Sequence, residues 1–107
     1  MNNPEETGII NLIDLPKDTY IDLNENFKLN ILNKAKKLTN TWINLGKELG
    51  LKISSRGKCK SLECIRENKR FKLEILLKII NFLKKNNIAI DEKIICKNIK
   101  ILSSHHN

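Results

Sequence analysis

Nothing in this chain forms the glycine-rich loop that cradles a nucleotide phosphate: its four glycines, Gly8, Gly46, Gly50 and Gly57, fit no such spacing. Its two histidines, His105 and His106, sit side by side in a polar tail. A Cys–His or Ser–His pair would need that tail to fold back. Asp14, Asp18 and Asp22 recur every four residues, but Pro16 breaks any helix that would gather them. They suit turns and caps better than a metal cluster. The chain is therefore expected not to be an enzyme, and to take neither cofactor nor small-molecule substrate.

Aromatics are scarce as well. With five of them, and no strand alternating basic and aromatic residues, an RNA-binding sheet is not expected. The single tryptophan, Trp42, opens an amphipathic stretch and belongs to a core rather than to a base-stacking platform. Three cysteines cannot all pair within one chain, so reduced thiols are expected. Cys59 and Cys64 stand five apart, without the two-residue gap usual for zinc, and no metal is expected. No apolar run approaches the ~18 residues needed to span a bilayer. The longest, Ile75 to Leu83, is interrupted by Lys78 and Asn81. The polar, acidic start, Met1 to Glu6, lacks the features of a secretory signal. The expected location is the cytoplasm, with no membrane as partner.

What is present is a domain-sized chain of 107 residues, 40% hydrophobic and 30% charged, hence globular rather than disordered. Its formal charge of +8 points to an anionic partner. Lysine, asparagine and isoleucine crowd the sequence and share A/T-rich codons, so the lysine excess alone carries little weight. The positions of the three arginines carry more.

Residues 1–8 read as a loose leader, 9–102 as one domain and 103–107 as a loose tail. Ile9 to Ile13 and Tyr20 to Leu23, separated by Pro16, read as extended segments, compatible with a small hairpin. A first helix is expected after Asn24, a good N-cap. Phe27, Ile31, Ala35 and Leu38 form its apolar face, and Lys28, Asn30, Asn33, Lys34 and Lys37 fill much of the other. Thr39-Asn40-Thr41 breaks it and offers caps for the next. A second helix carries Trp42, Leu45, Gly46 and Leu49 on one face and stops at Gly50. Gly46 suits a close crossing. Residues 51–57 form a loop, and a third helix runs from about Lys58 to Glu67 with Leu62, Ile65 and Cys59 inward. The fourth, about Lys72 to Lys85, is apolar outside the stripe Glu74, Lys78, Asn81 and Lys85, which predicts burial on most sides. Glu74 and Lys78 are spaced for an ion pair. Asp91 can cap a short helix, and Ile99 to Leu102 can pair as a strand with the N-terminal segment. The fold class is mainly α, a small helical bundle with a short β element from the two terminal segments.

Between Lys52 and Lys72 eight basic residues face two acids, a net +6 of the chain's +8, and all three arginines, Arg56, Arg66 and Arg70, lie there. Here the chain resembles the phage-repressor (Cro-like) helix-turn-helix family. Leu45-Gly46-Lys47-Glu48-Leu49-Gly50 is similar to that family's second helix, with Gly46 in place of the usual alanine. Leu62 to Arg70 is similar to its recognition helix and exit turn, with Asn68 in place of glycine. Leu73 to Ile79 is similar to the helix that follows. The likeness spans about residues 41–86, and the connection after Gly50 is longer than the usual turn by about six residues. The resemblance implies duplex DNA as partner and allows a homodimer, with residues 88–102 available for an interface. It implies that Lys60, Ser61 and Cys64 lie on or near the base-facing side, with Lys58 at the helix start. Lys69 and Arg70 match the phosphate-contacting exit turn, and the long connection lets Arg56 sit on a projecting basic loop. Transcription regulation, or the DNA-binding module of a larger system, follows as the expected function. The competing expectation is a helical interaction module whose basic patch meets an acidic protein. A basic, protruding third helix with a fully buried fourth favours the first, and a broad apolar patch left exposed on the fourth the second.

Overall fold

The computed structural model describes residues 15–16, 18–67 and 70–102, with backbone alone for 70 and 71. The expectations for residues 1–8, for the 9–13 stretch and for the tail lie outside the described residues. Strand β1 (Tyr20–Leu23) leads into helix α1 (Glu25–Thr39). Asn24 caps that helix, its side chain accepting a hydrogen bond from the Phe27 amide at 3.1 Å, and Glu25 meets the positive end of the helix dipole. Asn40 ends it with φ +74. Thr41 then caps α2 (Trp42–Glu48), its hydroxyl accepting from the Asn44 amide at 3.0 Å. Helix α3 (Lys60–Glu67) follows after a connection, then strand β2 (Arg70–Lys72) and helix α4 (Leu73–Lys85). Asp91 caps α5 (Glu92–Lys97), and β3 (Ile99–Ile101) ends the described fold.

The fold is mainly α, with one antiparallel three-stranded sheet in the order β2-β1-β3. The expected pairing of the two terminal segments is formed: Ile21 lies opposite Ile101, and Leu23 opposite Ile99. The other partner of β1 is β2, with Ile21 opposite Phe71 and Asp22 opposite Arg70. A three-residue strand wedged between two helices has too few positions to show a period in sequence. It exists because β1 presents an edge beside it. On β1, Ile21 and Leu23 face the core while Tyr20 is exposed and Asp22 half-exposed, the alternation of a sheet with one wet face.

The core joins Ile21 and Leu23 to Ile31, Leu32 and Ala35 of α1, Leu45 of α2, Leu62 and Ile65 of α3, and Leu73, Leu76, Ile79 and Leu83 of α4. Two details of α1 differ from the periodic expectation. Leu38 is 42% exposed, and Lys28 is buried at 1%. The buried stripe is 28, 31, 32 and 35, rotated slightly from the face drawn through Phe27 and Leu38. Helix α4 is less enclosed than its composition predicts. Leu76 and its neighbours on the stripe are buried, but Ile75, Leu77, Ile80 and Phe82 are only half so. Among the described residues, helix α1 and strand β2 pack against α4. Nor do Glu74 and Lys78 pair; the ion pair formed among the described residues joins Lys28 to Glu25 at 3.0 Å. Among the described residues no helix is long and apolar enough to cross a membrane.

Candidate nucleic-acid interface

The segment that carries most of the charge begins where α2 ends. Gly50, at φ +73, takes the left-handed conformation that closes a helix without a Cβ clash. Its amide donates to the Lys47 carbonyl at 3.1 Å and the Leu51 amide to the Gly46 carbonyl at 2.9 Å. This crossed pair satisfies carbonyls that the last turn would leave bare. The chain then turns away through Leu51 and Ile53, both packed against the core.

Gly46 is where α2 and the start of α3 meet. A Cβ there would stand 2.9 Å from Cys59 Sγ and 3.0 Å from Ile53 Cδ1, closer than carbon contacts allow. Cys59, 2% exposed, occupies that space.

Between those anchors the loop makes a tight reversal. Ser54 accepts a backbone hydrogen bond from Gly57 at 2.9 Å and donates one to the Lys58 carbonyl at 2.8 Å. Its hydroxyl also accepts from the Lys58 amide at 3.1 Å. Gly57, at φ +76, supplies the left-handed third residue of a three-residue turn. Ser55, Arg56, Gly57 and Lys58 are all exposed, with Arg56 at the tip.

Helix α3 buries Leu62 and Ile65 and turns Lys60 and Cys64 to solvent, with Ser61 half-buried beside them. Positions 60, 61 and 64 share one side of a helix by its 3.6-residue period. Arg56 and Lys58 are exposed as Lys60 is, with buried Cys59 between the last two. Among the described residues no carboxylate lies within ion-pair distance of these three. Exposed Glu67 closes the same side at the far end. Lys69 lies outside the described residues. Arg70, expected in a turn after α3, is instead the first residue of β2, in register with Asp22.

Two features of the segment escape sequence reading. The Arg66 guanidinium lies 4.4 Å from the centroid of the Trp42 ring, and Lys36 Nζ lies 5.3 Å from it. These contacts tie α1, α2 and α3 together at one aromatic side chain. Arg66, counted with the charge run, thereby belongs in part to the fold. The second feature is Lys28. Its ammonium donates to the Arg66 carbonyl at 3.4 Å, at the C-terminal end of α3, while also meeting Glu25. A cation suits the negative end of a helix dipole. Spacing did contain this signal, since 28 sits on the stripe with 31, 32 and 35; residue type concealed it.

Cys59 and Cys96 are buried thiols and Cys64 an exposed one, and no cluster able to hold a metal ion occurs among the described residues. Away from the basic run, an open groove of about 660 Å³ lies along α4, lined by Leu73, Leu77, Ile80, Ile90 and Ile95 with Lys78 and Glu92 at its edge. Comparison of the chain with protein-family models, curated proteins and solved structures finds no match.

Proposed function

We propose that this chain binds duplex DNA through α3 and the basic loop before it, as a regulator of transcription or the DNA-binding module of a larger assembly. The observation that carries this reading is the exposure of Arg56, Lys58 and Lys60, with no acid in the sequence between Glu48 and Glu63 and with Lys60 on the outward side of α3. Lys60, Ser61 and Cys64 offer donors and a small surface to base edges, Lys58 and Arg70 neutralise phosphates around them, and Arg56 adds a cation at the loop tip. The chemistry is binding, and catalysis has no part in it.

A second reading rests on a separate observation. The half-open apolar side of α4 and its groove suit a protein partner, with the basic run meeting acidic side chains. Of the two marks drawn from sequence, the half-open α4 supports this reading, and the exposed basic residues before and on α3 support the first. Fluorescence anisotropy on duplex DNA across a salt series separates the two. With roughly four to six phosphate contacts, log affinity falls against log salt with a slope of about −0.9 per contact. A folded Arg56/Lys60/Arg70 to Glu variant is expected to lose binding. Equal binding by that variant removes this face from the proposal. If the wild type binds no duplex at low salt, the interaction-module reading replaces it.

A further inference from the structure

We infer that Arg56 reads the minor groove of duplex DNA and makes binding there favour A·T pairs; the inference rests on the duplex-binding reading above. Three observations carry it. The loop is anchored at both ends, by Leu51 and Ile53 against the core and by Cys59 against Gly46. Its tip is fixed by the three hydrogen bonds of Ser54 and by Gly57 at φ +76, so the backbone around Arg56 loses little further freedom on binding. Everything from Ser55 to Lys58 is exposed, and no carboxylate engages the guanidinium among the described residues.

A narrow turn ending in one planar cation differs from a surface lysine. Phosphate neutralisation needs only charge, which Lys52, Lys58 and Lys60 around the loop already supply. Seventeen of the chain's twenty basic residues are lysine, yet the tip holds an arginine. Arginine is more weakly hydrated than lysine, and its flat head enters a groove about 6 Å wide. Narrow A·T-rich minor grooves focus negative potential and attract it, whereas the guanine 2-amino group of a G·C pair stands in the way.

Duplexes of alternating G·C, I·C and A·T pairs test this. Inosine keeps the major-groove edge of guanine and removes the 2-amino group from the minor groove. Anisotropy at low salt is expected to show the wild type binding I·C and A·T duplexes roughly five- to twentyfold tighter than G·C. Arg56→Gln, folded by circular dichroism with an unchanged unfolding midpoint, is expected to bring the ratio of I·C to G·C affinity close to one. If the wild type binds all three alike and Arg56→Gln weakens each equally, Arg56 is a phosphate contact and the inference fails. A ratio that survives Arg56→Gln assigns groove reading to another residue and also overturns it. Absence of any duplex binding overturns the underlying reading itself, a result distinct from binding without preference.

Discussion

At the scale of single residues, the chain holds two side chains whose fit decides more than their type suggests. Gly46 sits inside a helix, where alanine is ordinarily better by ~1 kcal/mol. Here the added methyl would stand 2.9 Å from Cys59 Sγ and 3.2 Å from Cys59 Cβ, both on a short side chain with little room to yield. Overpacking of this kind costs about 1–3 kcal/mol, so Gly46→Ala is expected to lower stability by a net ~1 kcal/mol. Made on a Cys59→Ala background, the same change should cost clearly less, because Sγ is gone. A urea double-mutant cycle measures the coupling, and strictly additive losses would mean that the two residues do not share this space. Lys28 is the other case. It is 1% exposed, with Glu25 and the Arg66 carbonyl as partners. Lys28→Ala removes both the packing of its stem and its charge, and is expected to cost about 2–4 kcal/mol. Lys28→Met keeps the stem and should stay within about 1.5 kcal/mol of wild type. Equal losses from both would show that the ammonium, not the stem, is what α3 rests on.

At the scale of elements, legibility followed how local each cause is. Asn24, Thr41 and Asp91 cap helices through their own side chains a few residues on, and all three could be read from sequence. Gly50 ended α2 for a reason contained in its own backbone. Strand β2 could not be read, because its cause is β1, some fifty residues away along the chain. The half-burial of Ile75, Leu77, Ile80 and Phe82 was equally hidden, since apolar composition states what a helix could bury and not what packs against it. Of the candidate site, the expectations for Arg56 on a projecting loop and for a shared outward side of Lys60, Ser61 and Cys64 came with the family resemblance; Arg56, Lys60 and Cys64 are exposed and Ser61 half-buried. The roles of Arg66 and Lys28 depend on where α1 and α2 lie against α3. The stripe on α4 remains a direct test. Leu76 is fully buried, and Leu76→Ala is expected to cost ~2–5 kcal/mol. Lys78, unpaired with Glu74 and at the edge of the groove, should lose under ~0.5 kcal/mol on truncation to alanine. Comparable shifts in thermal midpoint for the two would mean that the helix is rotated from this placement.

At the scale of the whole molecule, the question is which charges hold the fold and which are available to a partner. The net +6 between Lys52 and Lys72 is a sum, and the structure divides it. Arg66 stacks on Trp42 at 4.4 Å and its carbonyl receives Lys28, so its charge sits where α1, α2 and α3 converge. By helical period, position 66 also lies well round α3 from Lys60 and Cys64. Arg56 stands at the loop tip, with Ser55 to Lys58 all exposed. The two arginines are therefore expected to fail in opposite ways. Arg66→Gln should shift the emission of Trp42, the only tryptophan, and lower unfolding free energy by about 0.5–2 kcal/mol through the lost cation–π contact. The same variant should leave the salt slope of duplex binding unchanged within error. Arg56→Gln should leave both the emission and the unfolding midpoint in place and weaken duplex binding. Tryptophan fluorescence, thermal melts and salt-series anisotropy on the two variants separate the roles. If Arg66→Gln flattened the salt slope by about one, Arg66 would be a phosphate ligand, and the basic surface would extend round α3 to the Trp42 side.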